Sequence, residues 1–201
     1  MCPRPSSSSA VLLSALLAFI ASPVAAETPN PVTPSGETGS LVGFTVFARA
    51  LLPIKREGRF TDFAGQLSYD PSRPADTHVD ITVYTSSVDV HDSEQNALLR
   101  SDKFFDVDRY PTMHFASVDA TLQRDGTLAL SGDLTIRGIT KRILTPVRLH
   151  AAGAKSFLET TFQIDRTDFG INGIPGFGGP VVSIAKKVQI HIAIATGIAP
   201  R

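Results

Sequence analysis

Asn96 to Arg142, NALLRSDKFFDVDRYPTMHFASVDATLQRDGTLALSGDLTIRGITKR, is the stretch whose reading decides the fold. It opens on a short amphipathic turn, passes a double phenylalanine at Phe104-Phe105 and enters a strand after Tyr110-Pro111. Pro111 has no N–H to donate and belongs at a strand start. Arg124-Asp125-Gly126 separates two strand-like runs, and Asp-Gly readily takes the left-handed angles of a tight hairpin. Beyond it Leu128, Leu130, Leu134 and Ile136 alternate with Thr127, Ser131, Asp133 and Thr135. Alternation of that kind marks a strand with one apolar and one wet face. No nucleophile motif, metal cluster or phosphate loop interrupts the segment, so it reads as part of an enclosure rather than a reaction centre.

The same period of two continues outward. Val79, Ile81 and Val83 alternate with Asp80, Thr82 and Tyr84, and Val188, Ile190, Ile192 and Ile194 alternate with Lys187, Gln189 and His191. Shorter runs fall at 42–48, 65–69, 113–120, 143–149 and 157–164. One brief helix is expected where Asp92 or Ser93 caps a turn carrying Glu94, with Leu98 and Leu99 facing inward. The fold class is therefore all-β: an extended antiparallel barrel of about eight strands with one short helix, closed because closure removes exposed edges.

Residues 1–26 read as an export signal. Arg4 precedes the apolar run Ala10 to Ala21, and Val24-Ala25-Ala26 supplies small residues before Glu27. That order is the one a secretory leader has, and the run is shorter than the ~20 residues a membrane-spanning helix needs. Cleavage near Ala26 implies a periplasmic or secreted protein and removes Cys2, the chain's one cysteine. The remainder then has neither disulfide nor thiol nucleophile. Residues 27–35, with Pro29, Pro31 and Pro34, read as a linker into a domain spanning 36–196.

Charge narrows the partners. The chain has 19 basic and 19 acidic residues, without long runs of either sign, which argues against nucleic acid or an anionic membrane surface. His78, His91, His114, His150 and His191 are dispersed without the spacing of a metal site, and no metal or other cofactor is expected. Asp102, Asp106 and Asp108 lack the ligands and glycine turn of a calcium loop. GINGIPGFGGP, Gly170 to Pro180, reads as a turn between strands, with a flap at the barrel mouth as its functional version.

A barrel of this size is either packed solid or holds one small ligand, and the aromatic residues alone leave both open. The resemblance of several motifs to one family bears on the choice. GRFTDFAGQLSYDP (Gly58 to Pro71), SSVDV (Ser86 to Val90), LRSDKFFDVDRYPTMHFAS (Leu99 to Ser117), GDLTIRGIT (Gly132 to Thr140) and IDRTDFGI (Ile164 to Ile171) come in the order seen in YceI-like proteins. That family is also described as polyisoprenoid-binding and lipocalin-like. The resemblance implies a lipocalin-like barrel in the periplasm that binds or carries an isoprenoid lipid, a polyprenyl chain or a quinone, and is not an enzyme. The ligand-binding residues it suggests, together with strand parity, are Phe44, Phe105, Phe115, Leu134, Ile136 and Phe169; a homodimer is compatible with it. Departures from the resemblance are that relatives often carry His-Ser where Gly39-Ser40 stands, a second His where Ala48 stands, and Arg-Asp then His-Leu where Gln95-Asn96 and Leu98-Leu99 stand. Two rivals remain, a small barrel enzyme acting on an apolar substrate and a solid-cored interaction module.

Overall fold

Alternating apolar residues pair here into one curled antiparallel sheet. The computed structural model describes residues 30–32, 40–49, 53–70, 72–152, 155–173 and 183–196; the expected leader and most of the Gly170–Pro180 turn lie outside them. The strands are β1 (Asn30–Val32), β2 (Leu41–Arg49), β3 (Pro53–Phe60), β4 (Phe63–Ser68), β5 (His78–Tyr84) and β6 (Val88–Asp89). After the helix α1 (Ser93–Arg100) come β7 (Thr112–Leu122), β8 (Leu128–Ile136), β9 (Ile139–Ala152), β10 (Lys155–Asp165) and β11 (Ser183–Thr196). Their order across the sheet is β1-β4-β5-β7-β8-β9-β10-β11-β2-β3-β6.

Each of the eight expected runs falls on a strand, and β1, β3 and β6 are additional. β1 lies inside the stretch expected as linker and pairs with the edge of β4. β3 escapes the alternation test because Lys55, Arg56, Glu57 and Arg59 crowd it; charges of this kind blunt an edge strand against association.

The expected full closure is replaced by a covered seam. β3 and β4 are joined through Thr61-Asp62 and do not pair with each other among the described residues. The Thr61 N–H instead donates to Ser87 O at 3.1 Å, and the Tyr84 N–H donates to Asp62 O at 3.1 Å. β6 then pairs with Arg59 and Phe60 at the end of β3. Phe63 and Val88, both 0% exposed, fill the space beneath this stitching.

The turns follow local chemistry, with one correction. At 124–126 only Gly126 takes a left-handed φ, +81°, so the connection is a three-residue loop rather than a two-residue Asp-Gly turn. The Gln123 N–H donates to Thr127 O at 2.8 Å, and Asp125 accepts from the Thr127 N–H at 3.0 Å. The two-residue hairpin is at Arg137-Gly138, φ +49° and +71°, between the paired Ile136 and Ile139. Asp92, not Ser93, caps α1 by accepting from the Gln95 N–H at 3.0 Å.

Several such carboxylates tie pH to stability. Hydrogen bonds from Ser72 to Asp70, from Gln95 to Asp92, and from Thr127 to Asp125 hold these carboxyls below their ordinary range. Thr167 does the same for Asp165. A carboxyl whose pKa is depressed on folding contributes stability above its unfolded value of about 4, and that contribution is lost as pH falls through the folded value. The urea midpoint is therefore expected to be level above about pH 5 and to fall progressively below about pH 4; a midpoint unchanged down to about pH 2 would contradict this.

Candidate functional site: an apolar cavity inside the curled sheet

Inward side chains of a solid barrel are packed on all sides. Here Phe44, Phe105, Phe115 and Leu134 pack against the buried core yet stay only half-buried, because each borders an internal cavity. Its volume is about 190 Å³, against ~10–15 Å³ for a site that holds a single water. Ile136 borders it as well. Phe169 does not: 2% exposed, it is packed into the core in the single turn after β10.

Two glycines explain how the rings lie. A Cβ on Gly132 would stand 2.4 Å from Phe115 Cζ, and one on Gly58 would stand 2.4 Å from Phe44 Cζ. Each ring therefore lies flat across the backbone of a neighbouring strand, which a side chain there would prevent. Phe60 links Phe44 to Phe105, with ring centroids 5.8 Å and 5.5 Å away.

Residues 101–110 cover part of the cavity. Phe104 and Phe105 face inward from this segment, and Arg137 in the β8–β9 hairpin holds it from outside. The Arg137 guanidinium donates to Asp102 O and Phe104 O, stands 3.7 Å from the Asp106 carboxylate, and lies over the Tyr110 ring.

The wall is almost wholly apolar. Thr145, Thr160, His114 and Arg166 are the polar residues bordering it among the described residues. Thr160 donates to Pro146 O at 2.8 Å and shares a 2.5 Å hydrogen bond with Thr145. With Thr160's proton committed, Thr145 donates to it, and acceptor lone pairs remain within the wall. His114 alternates with the inward Met113 and Phe115, and its Nε2 is 3.1 Å from the Asp80 carboxylate. His78 meets Ser117 at 3.3 Å, and His191 bonds Thr45 and Thr161. None of these pairs converges on the cavity, no carboxylate borders it, and no group of metal-ligating side chains occurs among the described residues.

Parity and shared motifs thus point to five bordering residues and to one that is core. Thr145, Thr160, Leu99 and Arg166 are missed. Arg166 had a signal: Leu158, Thr160, Phe162, Ile164 and Arg166 recur at every second residue, and all five border the cavity.

Residues 36–196 match the sequence model of the YceI-like domain. The chain belongs to the YceI-like family. A UPF0312 protein of Vibrio cholerae is 32% identical over 162 residues, covering 78% of this chain and 85% of the relative. One from Vibrio vulnificus is 31% identical over 191 residues, 92% and 95% of the two chains. Among solved structures, Burkholderia cenocepacia BcnA matches with a TM-score of 0.69 at 24% identity over 78% of this chain and 95% of its own. A domain from Saccharophagus degradans, described as polyisoprenoid binding and implicated in plant cell wall breakdown, matches at TM-score 0.66 and 12% identity, over 86% and 100%. At those identities the likeness is one of fold.

The residues at and beside the positions set against the family pattern above have structural partners. Ala48 is buried and Leu99 borders the cavity. Asn96 accepts from the Val90 N–H at 2.9 Å and donates to Asp89 at 3.2 Å, fastening α1 to β6. Ser40 accepts from the Ala195 N–H at 3.0 Å.

Proposed function

We propose that this YceI-like protein is a periplasmic or secreted binding protein that carries an isoprenoid-type lipid, a polyprenyl chain or quinone tail, in the apolar cavity. The observation that carries the reading is the cavity itself: inward aromatic and aliphatic side chains left half-buried around an almost wholly apolar space. Phe44, Phe105, Phe115, Leu134 and Ile136 are its proposed ligand contacts. The description of the Saccharophagus degradans neighbour as polyisoprenoid binding supports the ligand class, and the reading of residues 1–26 as a leader supports the location. Among the described residues no carboxylate borders the cavity, which favours carriage over acid–base chemistry.

Energetics points the same way. Covering the apolar wall with an apolar occupant removes that surface from water, a gain of about 25 cal/mol per Å². Calorimetric titration of delipidated protein with a short prenyl alcohol such as farnesol tests the proposal. Saturable 1:1 binding with a negative heat-capacity change, the mark of apolar burial, is expected, together with a raised melting temperature. Absence of saturable binding would refute the carrier reading.

A further inference from the structure

Inward side chains stand in rows across the sheet, and the rows differ in burial. Leu128, Val147, Thr160, Ile192 and Val42 pair in that order across β8, β9, β10, β11 and β2. All but Ile192 are buried, Leu128 to 2% and Val147 to 1% exposed. Four residues along the same strands the picture changes: Ile143, Ile164, Val188 and Val46 are all half-buried, and all border the cavity. The two rows are about 13 Å apart, at ~3.3 Å per residue.

Past the buried row come Leu158 and Ile194, opposite each other on β10 and β11 and 3% and 1% exposed. Leu130, Val147 and Leu158 border the cavity, whereas Leu128 and Ile194 do not and lie packed behind them. A cavity whose side chains pass from half-buried to fully packed along four neighbouring strands is blind at the packed end.

That floor is made of carbon. Thr145 and Thr160 stand beside it, 3% and 8% exposed, with their oxygens turned to each other and to Pro146 O. Farther along, His114 turns Nε2 to the Asp80 carboxylate, and Arg166 spends its guanidinium on the carbonyls of Ala185, Ile184 and Ile171. A polar head pressed into this space loses its water and gains no partner, which is costly. A hydrocarbon end placed there gains from burial.

We infer that the cavity is a blind tube filled tail first: the terminal carbons of the chain rest on Leu130, Val147 and Leu158, and the head group stays beyond the half-buried end. The inference rests on the carrier reading and deepens it by fixing the direction of the ligand and naming the side chains that stop it. The site therefore measures hydrocarbon from its far end. Once the chain reaches from floor to rim, further isoprene units remain in water and add nothing to affinity.

Three probes of equal chain length decide the direction: farnesol, farnesoic acid, and farnesol hydroxylated on a terminal methyl group. They are titrated calorimetrically into delipidated exported protein at about pH 7, where the acid is charged. Farnesol and farnesoic acid should agree within about threefold, while the terminal hydroxyl, buried without a partner, should weaken binding about tenfold or more. Val147→Ala lowers the floor and should raise the affinity of geranylgeraniol relative to farnesol about threefold, the worth of one further buried methylene. Leu158→Val serves the same purpose should that variant fail to fold. Weakening by the acid but not by the terminal hydroxyl would place the head on the floor. Equal affinities of the three probes, equal losses for both modified ones, or an unchanged chain-length ratio in the floor variant would likewise overturn the blind tube and leave the carrier intact. No binding of farnesol itself would overturn both.

Discussion

Phe63→Ala is expected to lower the unfolding free energy by about 3–5 kcal/mol, the range for truncating a fully buried phenylalanine. Phe63 is 0% exposed and opens β4 immediately after the Thr61-Asp62 corner, opposite Val83 on β5. The corner is fixed on both sides, by Ser87 accepting from Thr61 and by Asp62 accepting from Tyr84. A void left beneath it has little freedom to collapse, so the cost should lie towards the upper end. For a chain of this size each kcal/mol moves the melting temperature by about 2–4 °C, giving a drop of roughly 6–20 °C. Phe44→Ala should cost less, because the Phe44 ring already borders empty space. Equal losses for the two, or a loss below about 1 kcal/mol for Phe63→Ala, would contradict the distinction between core and cavity wall drawn here.

Leu134→Trp should abolish lipid binding while leaving the fold close to wild type. Leu134 lies on β8 opposite Phe115, faces the cavity and is only half-buried. The larger ring therefore has space to enter. Enlarging a side chain in a packed core typically costs about 1–3 kcal/mol, and at Leu134 the cost should fall below that range. Calorimetric titration with farnesol and a melting curve of the same preparation read both quantities. A variant that binds farnesol as wild type does would remove Leu134 from the ligand site. A variant that melts far lower would mean that the space beside it is filled.

Much of this fold was legible because alternation reports directly on which side of a sheet a residue faces. It was clear in β5, β8 and β11, where branched aliphatics alternate with polar residues, and weaker but sufficient in β2, β4, β7, β9 and β10. It failed at β3, whose charges reflect an edge that must not attract another strand, and at β6, too short to carry a pattern. It also failed at β1, where Pro31 reads as linker although an edge position tolerates proline.

The site was legible only in part, for a related reason. Parity states that Phe44, Leu134 and Ile136 face inward but not whether a neighbour or a void lies beyond them. That depends on how far the sheet curls, which Gly58 and Gly132 help to set by letting rings lie across them. Motif membership is weaker still: IDRTDFGI contains both Phe169, which is core, and Arg166, which borders the cavity. Telling them apart needs the turn after Asp165, where the chain leaves the strand and its period of two ends.

The most direct test of the account is native mass spectrometry of the wild-type protein, purified without detergent from the envelope of its own organism. A species heavier than the polypeptide by one discrete lipid is expected, released on collisional activation and identified as an isoprenoid by fragmentation. Protein carrying no lipid in repeated preparations, and acquiring none from its own lipid extract, would contradict the claim that the cavity is a carrier site.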